Sequence, residues 1–145
     1  MEIPFDIKLT LRRGTVYYLQ HRDLSSPEPH YFIVLNTSPV EQKVILMSVF
    51  TSQIKKQERA IQRAGHPSET LVRIGPSDYG ELTKESCVNC NKVFSKPLAE
   101  LVQLWPNMTK NPTDLSDKLL EQILNGIELS SQISEEEKTL IRGEE

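Results

Sequence analysis

Cysteine is scarce: Cys87 and Cys90 are the only two in 145 residues, whereas a secreted domain stapled by disulfides normally carries more. Also missing are any apolar run approaching the ~18 residues of a membrane-spanning helix and any charged-then-apolar leader at the start. These absences set the expectation of a cytoplasmic protein with no membrane association, held by a hydrophobic core. No GxSxG, HExxH, P-loop or Rossmann glycine pattern is present, which removes the best-marked classes of hydrolase and nucleotide binder. Neither an internal repeat nor a low-complexity segment interrupts the chain.

What is there fits a single domain spanning 1–145, long enough to bury roughly two thirds of its unfolded surface. Its expected core is 12–130, followed by an acidic tail, 131–145, expected to fray. The net charge of −3 argues weakly against nucleic acid, but the charge is uneven. Residues 1–63 carry 9 Lys+Arg against 6 Asp+Glu, and residues 64–145 carry 8 against 14.

The organising stretch is His30 to Ser52. Tyr31 to Leu35 is a run of β-branched and aromatic residues closed by turn-prone Asn36, Thr37, Ser38 and Pro39, and Lys43 to Phe50 is a second apolar run. The two predict an antiparallel hairpin with a four-to-seven-residue connection. Before them, Met1 to Thr10 reads as a lead-in, Thr15 to Leu19 as a strand, and Gln20 to Pro29 as an exposed loop. After them, Gln53 to Ala64 is a helix stopped by Gly65 and Pro67, with Ile54, Ala60, Ile61 and Ala64 as its core stripe. Leu71 to Ile74 and Ser86 to Phe94 read as strands, and Lys96 to Trp105 as a helical turn. Leu115 to Leu129 is the clearest helix, with one apolar stripe and Asp114 or Ser116 as its N-cap. The order predicts an α+β fold, mainly β: a bent antiparallel sheet or small barrel closed by helices.

Cys87-Val88-Asn89-Cys90 has half the spacing of a zinc site, but in a strand residues three apart face opposite sides. His21, His30 and His66 form no ligand pair. Structural thiols and no metal are therefore expected. Thr51-Ser52 lies where a strand passes into a basic helix, which suits either an ordinary N-cap or an anion site. Lys55, Lys56, Arg59 and Arg63 follow directly. Arg12 and Arg13, and His30 at a strand entrance, are candidates for phosphate contact or proton transfer.

In order, Arg13-Gly14-Thr15-Val16-Tyr17-Tyr18, His30-Tyr31-Phe32-Ile33-Val34-Leu35 and Val44 to Phe50 with Thr51-Ser52 resemble the PemK/MazF toxin family. There, "RGDIWW"-, "RPVLVLS"- and "VIVAPITS"-like strands build an SH3-like barrel. Ser86 to Val93 with Lys96 and Leu98 resembles the family's "SVVLCDQIRTVDKSRL" segment, and Leu115 to Leu129 its C-terminal helix. The resemblance spans roughly 12–130. It implies an SH3-like antiparallel barrel, a homodimer, and cleavage of single-stranded RNA without metal or other cofactor, through the substrate's own 2′-OH. It also implies neutralisation by a cognate antitoxin. Carried over, Thr51 and Ser52 match the family's strand-ending hydroxyl. His30 stands where the family has its catalytic Arg, and Asn91 where it has Asp. The implied site is His30, Thr51 and Ser52 for catalysis, with Arg12, Arg13, Lys55, Lys56, Arg59 and Arg63 for RNA. The alternatives are a catalytically silent barrel of the same family that binds protein or RNA, and a barrel adaptor or enzyme unrelated to RNA.

Overall fold

The computed structural model describes residues 3–19 and 30–143. The expected loop from Gln20 to Pro29 lies outside them. In chain order the elements are α1 (Phe5–Thr10), β1 (Val16–Leu19), β2 (His30–Val34), α2 (Pro39–Gln42), β3 (Val44–Val49), α3 (Ile54–Ala64), β4 (Leu71–Ile74), β5 (Ser86–Asn89), β6 (Phe94–Pro97), α4 (Leu98–Leu104), β7 (Thr109–Lys110), α5 (Asp117–Leu129) and α6 (Glu135–Arg142). Five strands pair in the order β6-β3-β2-β1-β7, and β4 pairs with β5, all antiparallel. The fold is therefore α+β with antiparallel sheets. Among the described residues no pairing joins β7 to β4 to close a ring.

β3 links the two sheets because its outer edge is shared. Val44 to Met47 pair with β6, and four residues further on Thr51 bridges to Cys87 of β5. Alternation along the strands sends side chains to two cores, one on each side. Val16, Ile33, Leu35, Leu46 and Phe50 pack with Leu119, Ile123 and Ile127 of α5. Tyr17, Leu19, Phe32, Val34, Ile45 and Met47 pack with Ile7 and Leu11 around α1 and with Leu98 and Leu101 of α4. Burial on both faces is why these strands read as continuous apolar runs.

Four expectations are corrected. The lead-in contains a helix, α1, starting after Pro4 and burying Ile7. The hairpin connection is longer than seven residues and holds α2, and Lys43 closes it with φ 62°. Asn36 ties it shut: its amide donates to Gln42 Oε1 and Val44 O, each at 2.8 Å, and accepts from Leu46 N at 3.0 Å. The expected strand from Ser86 to Phe94 is two, β5 and β6, because Asn89 Oδ1 accepts the Asn91 amide at 3.0 Å and turns the chain. The acidic tail is α6, capped by Ser134, with Ile133 and Ile141 buried. Its C-terminal carbonyls are held from the sheet side, Leu140 O by Gln42 at 3.0 Å and Ile141 O by Arg13.

Candidate functional site

The β2–β3 register pairs Phe32 with Val49, and Phe50 N still donates to Tyr31 O at 3.0 Å one step on. The paired register ends at Phe32 and Val49; by alternation along each strand His30 falls on the face of Phe32 and Thr51 on that of Val49, the same side of the sheet. From Thr51 the row carries on across the sheet. Thr51 bridges Cys87, and Cys87 is the register partner of Arg73 on β4. Residues directly opposite in an antiparallel ladder share a face, so His30, Thr51, Cys87 and Arg73 stand on one side of four neighbouring strands. α5 lies on the other side.

Each member of the row has a distinct environment. His30 is half-buried, and its Nε2 is buried with no hydrogen-bond partner among the described residues. Thr51 is half-buried; its Oγ1 accepts the Gln53 amide at 3.2 Å, which fixes the rotamer and leaves the hydroxyl proton to point elsewhere. Ser52 is exposed beside it. The N-cap of α3 is Gln53, with no side-chain cap bond, so neither Thr51 nor Ser52 caps the helix.

α3 covers the outer face of β4–β5. Its inner stripe is Ile54, Gln57 and Ile61; Ala60 and Ala64, expected in the core, are exposed. Gln57 faces inward because Asn89 donates to its Oε1 at 3.0 Å. The chain of bonds continues: Asn91 Nδ2 donates to Thr70 Oγ1 at 2.9 Å, and Ser130 Oγ donates to Asn91 Oδ1 at 2.6 Å. This network locks α3 to the hairpin and to the end of α5. It presents Lys55, Lys56, Arg59 and Arg63 outward, all exposed and none in an ion pair with the described residues.

Arg12 and Arg13 are not brought to this place. Both sit at the opposite end of β2, near Leu35, roughly 16 Å along the strand from His30. Arg12 pairs with Asp114 at 2.8 Å, and Arg13 donates to Leu35 O at 2.8 Å besides Ile141 O.

The two thiols lie on opposite sides of β5. Cys87 is in the row with Thr51, and burial pushes it up to about 11, with Arg73 pulling it back and Glu58 adding to the rise. Cys90 is in the α5 core; burial and then Cys87 push it up to about 12. It packs so closely on Gly126 that a Cβ there would fall 2.6 Å from its Sγ. Among the described residues no group of three or more His, Cys, Asp or Glu could hold a metal ion, and no helix is long and apolar enough to cross a membrane.

Sequence reasoning missed Arg73, Gln57 and Asn89. Arg73 was findable as the one polar residue of the LVRI strand; Gln57 and Asn89 carried no sequence signal that they meet.

No protein-family model matches the chain, and no curated protein matches it in sequence. Among solved structures, one described as "Endoribonuclease in complex with its cognate antitoxin from Mycobacterial species" overlays with a TM-score of 0.49 and 15% identity. The overlay covers 80% of this chain and 89% of that one. A likeness of that size carries no argument about function.

Proposed function

We propose that this chain is a toxin of the PemK/MazF type, an SH3-like barrel that cleaves single-stranded RNA without a metal ion. The observation that supports the reading is that His30, at the start of β2, and Thr51, just past the end of β3, fall on one face at the same end of the sheet, close to the start of α3, where Lys55, Lys56, Arg59 and Arg63 are exposed.

The chemistry needs few groups. The 2′-OH of the nucleotide before the cut attacks its own 3′-phosphorus and loses its proton to a base. The bond to the 5′-oxygen of the next nucleotide breaks, and that oxygen takes up a proton. The products are a 2′,3′-cyclic phosphate and a free 5′-hydroxyl. His30 is the one imidazole in the row and serves as the acid or base. The Thr51 hydroxyl, its oxygen already held by Gln53 N, donates to a non-bridging phosphate oxygen, and Ser52 stands beside it for the same use. Lys55, Lys56, Arg59 and Arg63 draw in the flanking phosphates. Arg12 and Arg13, at the far end of β2, serve the fold and not the scissile phosphate. A homodimer and a neutralising antitoxin belong to the same proposal.

The test is to incubate the purified protein with a long mixed-sequence RNA in EDTA and map the new ends. Cyclic phosphate on one side and 5′-hydroxyl on the other are expected. A second reading, a catalytically silent barrel that binds RNA, is favoured by one observation, the histidine standing where the resembled family has arginine. Saturable binding of RNA without new ends would select it.

A further inference from the structure

Glu58 is the only acidic residue of α3, and it accepts from Arg73 Nη2. On the helix, Lys55 lies three residues before it and shares its side. Glu58 is thus flanked by two exposed cations, Arg73 from β4 and Lys55 from α3. Arg73 belongs to the row that starts at Thr51, two strand spacings or about 10 Å away, and 65% of its side chain is in solvent. An ion pair that exposed contributes little to stability, so it is easily exchanged for another anion. A guanidinium also offers five donors, enough to grip a phosphate by two of them.

Resting on the RNA-cleaving reading above, we infer that Arg73 is a phosphate contact of the RNA track and that Glu58 is its built-in competitor. RNA binding replaces the Glu58 carboxylate at Arg73 with a backbone phosphate flanking the one at Thr51. The track then runs past the start of α3, from Thr51 to the exposed end of Arg73, as well as along α3 itself. Glu58 weakens the grip on RNA and keeps Arg73 extended over the face when no RNA is bound.

The experiment measures binding of a labelled 20-nucleotide single-stranded RNA with 2′-O-methyl riboses, which blocks the attacking hydroxyl, across a salt series. Wild type is compared with Arg73→Ala, Arg73→Lys, Glu58→Gln and Arg59→Ala, each checked for an unchanged melting temperature to within a few degrees. Loss of one phosphate contact lowers the slope of log affinity against log salt by about 0.7 on a single strand. Arg73→Ala is expected to lose that much, and Arg73→Lys to keep the slope with weaker binding. Glu58→Gln is expected to bind about two- to fivefold more tightly, a gain of the size of an exposed ion pair. A slope unchanged in Arg73→Ala but reduced in Arg59→Ala overturns the role of Arg73 and leaves the RNA reading standing. Glu58→Gln binding no better than wild type overturns the competitor role. No binding by wild type overturns the RNA reading and this inference with it.

Discussion

Thr51 and Cys87 exchange both backbone hydrogen bonds, Thr51 N donating to Cys87 O at 3.0 Å and Cys87 N to Thr51 O at 2.8 Å. That pair fastens the end of β3 to the β4–β5 hairpin, so the hydroxyl at the strand end and the cationic helix on the hairpin keep a fixed spacing.

The core beneath that joint is anchored by α5. Ile123 is fully buried and packs in the core formed with Ile33, Leu46 and Val88. Ile123→Ala is expected to lower unfolding free energy by about 2–5 kcal/mol, from lost transfer energy plus the cavity left behind. Urea denaturation measures it, and a loss under half a kcal/mol would remove α5 from the core.

The thiols are expected to be inert. With Cys87 held near 11 and Cys90 near 12, each is a neutral, buried thiol at pH 7 to 8, and the thiolate is the reactive form. A disulfide-exchange reagent should label neither in the folded protein and both in denaturant. Rapid labelling of Cys87 in the native state would show that α3 leaves its seat.

Acid should loosen α6 first. Arg142 grips Glu128 through two bonds of 2.6 Å, joining α6 to α5, and that hydrogen bonding holds the Glu128 carboxyl below its ordinary value of 4.5. A depressed carboxylate contributes stability that is present above its unfolded pKa and is lost as pH falls through the folded one. The pair is partly exposed, so the contribution is under about 1 kcal/mol. Wild type should melt slightly above Glu128→Gln at pH 7, with the difference shrinking as pH falls below 4.5 and through the lower folded value of Glu128. A difference that does not shrink would contradict the role of the pair.

Much of this architecture was legible in the sequence, and the parts that were not have physical reasons. Strands such as Leu71 to Ile74 and the α5 stripe were readable because periodicity and burial agree there. α1 was hidden because six residues with two buried apolar positions around them, Ile7 and Leu11, leave too short a pattern. α6 was hidden because its three leading glutamates read as a solvated tail, although they suit a helix N-terminus. At the site, Thr51, Ser52 and the basic face of α3 were readable from local residue types. Arg73 was visible as the one polar residue of its strand, but its nearness to Thr51 was not, since that follows only from β5 lying between them, a pairing between distant segments.

RNA cleavage at His30 and Thr51 is measured by comparing cleavage of a mixed-sequence single-stranded RNA in EDTA by wild type, His30→Ala and Thr51→Ala, with circular dichroism confirming that each is folded. Wild type is predicted to cleave, and removal of the acid or base at His30 is predicted to slow cleavage by about 10²–10⁴-fold, with Thr51→Ala also slowed. Cleavage by wild type that both substitutions leave untouched, or no cleavage by wild type at all, would contradict the account.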